Sequence, residues 1–174
     1  QTGFAVGTDG VVLKTVDGGL TWDLLPTWTN MAFVNDILDI DYAANQTIIV
    51  GENGLIAKST DLVNFSLSNN GISSNATVAS ITHDASKHYI SVVENGKSLI
   101  YERAFNASTW SSLGTFNAPE LTCLEQLSDN NFIAAGKDGR LYHFTTNSST
   151  NLWEHKDHNI HDDIQQIAFF NLQQ

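Results

Sequence analysis

The sequence is poor in cations. Lysine and arginine together number 8 against 19 aspartates and glutamates, a formal charge of −11 over 174 residues. So few positive side chains cannot neutralise a phosphate backbone, so nucleic acid is excluded as an expected partner. Anionic lipid surfaces are disfavoured for the same reason. Arginine occurs only at Arg103 and Arg140. Cysteine occurs once, at Cys123, so no disulfide can form within the chain. Set in an alternating apolar run without metal-ligand spacing, Cys123 reads as a buried, inert thiol. No apolar stretch approaches the roughly 20 residues that cross a bilayer as a helix, so no transmembrane segment is expected. The 3.6-residue helical period is also missing, which argues against a helical solenoid. No GxSxG-like context surrounds any serine, and a hydrolase triad is unsupported. The chain does not open on Met and reads as either a mature chain or an excised piece of a longer one.

What is present is a repeat. Four short turns share one pattern: VGTDG ending at Gly10, VGENG at Gly54, VVENG at Gly96 and AGKDG at Gly139. The final glycines are 44, 42 and 43 residues apart. Asp-Gly and Asn-Gly suit a two-residue type I′ hairpin, because both central positions need positive φ. The flanks repeat too. A β-branched or aromatic run precedes each turn (Phe4 to Val6, Ile48 to Val50, Tyr89 to Val93, Phe132 to Ala135) and another follows it. After a polar loop comes an aromatic, at Trp22, Phe65, Trp110 and Trp153. A further strand is predicted ahead of each hairpin, at Ile37 to Tyr42, Val78 to His83, Leu121 to Gln126 and Ile164 to Phe169. Its apolar anchors are Ile40, Ile81, Leu124 and Ile167.

Tandem units of 40–45 residues with four antiparallel strands each are propeller blades. The expected fold is therefore all-β: a β-propeller with four blades of four antiparallel strands, or a four-blade fragment of a larger propeller. It forms a single domain over 1–174. Its units run over about 1–28, 35–68, 76–113 and 119–156, and 162–170 supplies the first strand of a next or closing blade. If the ring closes, Ile164–Phe169 pairs beside Gly3–Val6.

The segment Gly3 to Trp22, GFAVGTDGVVLKTVDGGLTW, resembles the Asp-box (BNR-type) repeat, in which Ser/Thr-x-Asp-x-Gly-x-Thr-Trp joins the outer strands of a blade. The matching residues are Thr15, Asp17, Gly19, Thr21 and Trp22. The chain looks most like propellers of the photosystem II stability/assembly-factor type, with a more distant likeness to sortilin-type receptors and sialidases. In the second unit Ser59, Asp61 and Phe65 are kept, but the glycine is missing and the box is one residue short. The third and fourth units keep only a polar turn and the aromatic. The box is expected to be structural: Asp17 accepts N–H bonds inside its own turn, Gly19 supplies positive φ, and Trp22 is buried between blades. A sialidase site is similar in every such enzyme in needing three arginines to clamp a carboxylate, and two cannot build it.

Two further clusters stand out. In HKDHNIHDD, His155, His158 and His161 lie three apart with carboxylates between them. They are weak candidates for a metal site, since a three-residue step does not align side chains on one face of a strand. Trp28, with Pro26 and Phe33, sits in a long connection outside the repeated positions and is a candidate partner contact. No cofactor and no catalytic residue are expected. The resemblance implies a non-catalytic protein-binding or scaffold propeller, a component or assembly factor of an exported or envelope-associated complex. Its acidity selects partner subunits with a basic surface. The alternative is an incomplete glycan-binding or glycoside-hydrolase-like Asp-box propeller.

Overall fold

The computed structural model describes residues 1–25, 35–61, 63–116, 120–146, 152–155, 159 and 161–169; for 115–116 and 152–155 only the backbone is considered. Fifteen strands are described, in four antiparallel sheets. Blade 1 holds β1 (Gly3–Val6), β2 (Val12–Thr15) and β3 (Asp23–Leu24). Blade 2 holds β4 (Ile37–Ala43), β5 (Gln46–Gly51), β6 (Ile56–Ser59) and β7 (Ser66–Leu67). Blade 3 holds β8 (Thr77–His83), β9 (Lys87–Glu94), β10 (Lys97–Ala104) and β11 (Ser111–Phe116). Blade 4 holds β12 (Leu121–Ser128), β13 (Asn131–Gly136), β14 (Leu141–Thr145) and β15 (Leu152–His155). Every blade is a simple meander, each strand paired with its sequence neighbours.

The turn chemistry accounts for the meander. Asp9, Asn53, Asn95 and Asp138 have φ of 52–56°, and the glycine after each has φ of 65–71°. Only Asn95-Gly96 closes directly on its ladder, with Glu94 opposite Lys97. In the other three blades the ladder stops earlier, at Val6–Val12, Val50–Ile56 and Ala135–Leu141, and one extra residue enters the loop. Those three blades carry glycine where blade 3 has Val93. At Gly51 and Gly136 a Cβ would lie 2.1 Å from the carbonyl oxygen of Asp36 or Glu120. The same carbonyls accept the N–H of Glu52 and Lys137 at 3.0 Å. Close approach of backbone to backbone, rather than φ, fixes these glycines.

Each turn also ties its blade to the next. Ile37 N–H donates to Gly7 O and Gly54 N–H to Ala76 O. Leu121 N–H donates to Ser98 Oγ. Asp36 Oδ1 accepts the N–H of Asp9, and Asp163 Oδ1 that of Asp138, both at 3.0 Å. The core is divided accordingly. Val12, Ile37, Ile49, Leu55 and Ala57 join blades 1 and 2; Ile48, Val50, Val78, Ile90 and Trp110 are among those joining 2 and 3; Tyr89, Leu124, Phe132 and Phe144 are among those joining 3 and 4.

Two expectations are corrected. Ile164–Phe169 forms no strand, and among the described residues β1 pairs only with β2. The expected pairing of these two segments is not made. Ile164 N–H instead donates to Gly136 O, and Ile164 O accepts from Thr122 Oγ1, which lays the segment beside β12 of blade 4 without a ladder of its own. Nor is Trp22 buried between blades: it is 43 % exposed, whereas Trp110 is 3 % exposed. Trp110 packs in the core joining blades 2 and 3 and donates its indole N–H to Ser68 O of blade 2. Phe65 of blade 2 packs against the core it shares with blade 1. The aromatic thus leans on the preceding blade, and among the described residues none lies before Trp22.

Candidate interaction surface along the axis

The Asp-box forms as the residue types demand. Thr15 Oγ1 donates to Asp17 Oδ1 at 2.7 Å and accepts the N–H of Gly19 at 2.9 Å. Asp17 in turn accepts the N–H and hydroxyl of Thr21, at 3.0 and 2.7 Å. These bonds hold its carboxyl well below the usual carboxylate range. The shortened second box is wired alike: Asp61 accepts Ser59 Oγ, the N–H groups of Val63 and Asn64, and Asn64 Nδ2. The carboxylates of both boxes are occupied by their own turns.

The inner strands carry a second repeated feature. In β4, β8 and β12 the ladder skips one residue, between Ile37 and Asp39, Val78 and Ser80, and Leu121 and Cys123. Leu38, Ala79 and Thr122 are therefore β-bulge positions, at equivalent places in blades 2, 3 and 4. A bulge re-aims side chains and bends its strand. These three residues, with Gln165 from the segment beside β12, line two adjoining cavities of about 320 and 220 Å³. Together the cavities form one cleft along the inner strands. The second cavity is also lined by Asp39, Ser80, Cys123, Glu125 and Gln166.

Its wall is bonded across blades. Asp39 Oδ2 accepts Ser80 Oγ at 2.8 Å and Ile81 N–H at 2.9 Å, and Ser80 Oγ accepts Leu124 N–H at 3.2 Å. Burial, with the like charge of Asp41, raises the Asp39 carboxyl. Glu125 is raised by burial and by the charges of Asp39 and Asp41. Burial also raises the Cys123 thiol, so the lone cysteine is a buried thiol rather than a thiolate nucleophile.

Deeper between blades 2 and 3, Asp41 bridges two histidines, His83 Nδ1 at 2.9 Å and His88 Nδ1 at 3.2 Å. Burial works upward on Asp41, but the two imidazoles outweigh it and hold the carboxyl low. The bond to Asp41 raises His83, while burial lowers His88. Arg103, directly across the ladder from His88, is 2 % exposed; its guanidinium lies 4.6 Å from the Trp110 ring centroid and bonds Ser68 Oγ. This polar layer fastens blade 3 to blade 2.

The remaining expected sites fare differently. Pro26, Trp28 and Phe33 lie outside the described residues. So does His158; His155 lies in β15, where only the backbone is described, and His161 is exposed. Among the described residues no three His, Cys, Asp or Glu side chains are placed to hold a metal, and no helix is long and apolar enough to cross a membrane. The bulge ring was missed in the sequence. Its signal was present, since Leu38, Ala79, Thr122 and Gln165 each stand two residues before the anchors Ile40, Ile81, Leu124 and Ile167.

Sheets of this order, joined by Asp-box turns, define a BNR-type β-propeller. The chain belongs to the family described as photosynthesis system II assembly factor YCF48, whose sequence model matches residues 1–174. Among solved structures it is similar to YCF48 from Cyanidioschyzon merolae, at 14% identity and a TM-score of 0.60, over 90% of this chain and 53% of that one. It is also similar to the N-terminal domain of Nup159, at 10% identity and a TM-score of 0.51, over 88% of this chain and 47% of that one. A YCF48 bound to D1 peptide matches at 14% identity and a TM-score of 0.48, over 88% and 63%. The chain thus spans about half the length of the first two solved relatives. No curated protein matches it.

Proposed function

We propose that this chain is a non-catalytic protein-binding module, acting as an assembly factor or component of an exported or envelope-associated complex whose partner presents a basic surface. The observation that carries this reading is the match of an assembly-factor family over all 174 residues. The site chemistry agrees with it. The box carboxylates Asp17 and Asp61 are taken up by their own turns, and Asp39, which accepts the Ser80 hydroxyl, is also held by the backbone N–H groups of Ile40 and Ile81. Among the described residues, those lining the axial cleft include no aromatic ring on which a sugar would stack, which weighs against the glycan-binding alternative. The charge of −11 supports a basic partner, since long-range attraction speeds encounter with a cationic surface and weakens with salt.

The test is cross-linking in the source cells after fractionation, followed by reconstitution with the purified partner. The expected result is an envelope or exported fraction, a partner with a basic face, and a Kd that rises with ionic strength. A protein that stays alone at low salt, or whose binding is indifferent to salt, would overturn the reading.

A further inference from the structure

Resting on the protein-binding reading, we propose that the axial cleft is the docking groove and that it takes an extended segment of the partner bearing a lysine or arginine, whose charge is received at Glu125. Two observations carry this independently. The first is shape. Three bulged residues, Leu38, Ala79 and Thr122, come from equivalent positions of three successive blades and meet Gln165 in one continuous groove. The bulges take these residues out of the ladder, and Leu38 is 45 % exposed. A groove a few residues long, floored by short side chains such as Ala79 and Ser80, suits an extended chain better than a bulky side chain.

The second is charge. Among the described residues, the charged ones lining the groove are Glu120, Asp39 and Glu125, all acidic. Glu120 is paired with Lys137 at the rim. Among the described residues neither Asp39 nor Glu125 has an ion pair. The oxygens of Asp39 are engaged by Ser80, Ile81 and Ile40. Glu125 is therefore the carboxylate left to meet a guest. It already feels the like charges of Asp39 and Asp41, and burial disfavours its ionised form further. The positive charge of a guest cation offsets both penalties, whereas an anionic or purely apolar guest offsets neither. The salt-sensitive recognition proposed above thereby gains a particular site.

The test uses a fluorescein-labelled decapeptide of alternating lysine and serine, with the glutamate/serine decapeptide as control. Binding is followed by fluorescence anisotropy at low and at physiological salt. The cationic peptide is expected to bind, and Glu125→Gln to weaken it about tenfold. Asp23→Asn, on the exposed outer strand β3, changes the net charge equally and is expected to change the Kd less than about twofold. Hydrogen exchange should show protection confined to β4, β8 and β12.

Should Glu125→Gln not fold, Gln166→Lys serves instead: Gln166 is exposed at the groove, and a lysine there competes for the same carboxylate. Equal losses from Glu125→Gln and Asp23→Asn, or protection on other strands, would overturn the proposal as non-specific attraction to an acidic protein. A partner that binds normally to the Glu125→Gln protein overturns the groove while leaving the protein-binding reading intact. A groove that takes the peptide in a protein with no partner does the reverse.

Discussion

At the scale of the residue, Asp17 and Asp61 show how little of a motif is needed to make it work. Asp17 sits in a complete box and Asp61 in one that has lost its glycine and a residue of length, yet each carboxylate gathers bonds from the hydroxyl two residues before it and from backbone N–H groups after it. Asn64 Nδ2 supplies the bond that the Thr21 hydroxyl supplies in the first box. Replacing Asp17 by alanine orphans these donors at an exposed turn, so the expected loss is modest, a few degrees in Tm by thermal melt, with partner binding unchanged. The sign of its pH dependence follows from the lowered carboxyl. A group whose folded pKa lies below its unfolded value contributes above the unfolded value and loses that contribution as pH falls through the folded one. The Tm gap between wild type and Asp17→Ala should therefore be constant near neutrality and shrink below about pH 4. A variant that melts like wild type but fails to bind would mean Asp17 is not structural.

At the scale of the element, three inner hairpins carry glycine before the turn and one carries Val93. All four share the Asp/Asn-Gly dipeptide, so propensity alone does not separate them. At two of the three glycines a backbone neighbour excludes a side chain: a Cβ at Gly51 or Gly136 meets a carbonyl oxygen at 2.1 Å, while at Gly7 nothing lies within 4 Å. Gly51→Ala and Gly136→Ala are expected to destabilise by about 1–3 kcal/mol, since backbone must shift to admit the methyl. Gly7→Ala should fall within about 0.5 kcal/mol of wild type. Urea denaturation of the three variants decides it; equal costs at Gly7 and Gly51 would show that the close approach does not control the turn. The places of the four turns, the strand pairing and the blade order were legible because each rests on local chemistry repeated at a fixed period, but only Asn95-Gly96 closes as the expected two-residue hairpin. The bulges at Leu38, Ala79 and Thr122 were not read, because a skipped residue shows in no single strand's alternation and emerges only when the inner strands are aligned on their anchors. The half-exposed Trp22 was misread because its box sequence is the same whether or not another blade covers it.

At the scale of the whole molecule, the core is a series of contacts between neighbouring blades rather than one central mass. Ile49 belongs to the cluster between blades 1 and 2, and Phe132 to that between blades 3 and 4. Phe132 stacks on Phe144 with ring centroids 4.8 Å apart and tilts against Tyr89 at 4.4 Å. Nothing in the two clusters is shared, so energy lost in one is not recovered by rearrangement in the other. In a repeat architecture of this kind stability is close to a sum of units and nearest-neighbour interfaces. The double variant Ile49→Val with Phe132→Leu should therefore cost the sum of its single changes within about 0.5 kcal/mol. Phe132→Leu with Phe144→Leu should depart from additivity by more than that, because each first change already loosens the pocket of the second. Urea denaturation of the five single and double variants measures both terms. If the distant pair coupled as strongly as the stacked pair, the blades would be one cooperative core, and the division drawn here between inter-blade clusters would fail.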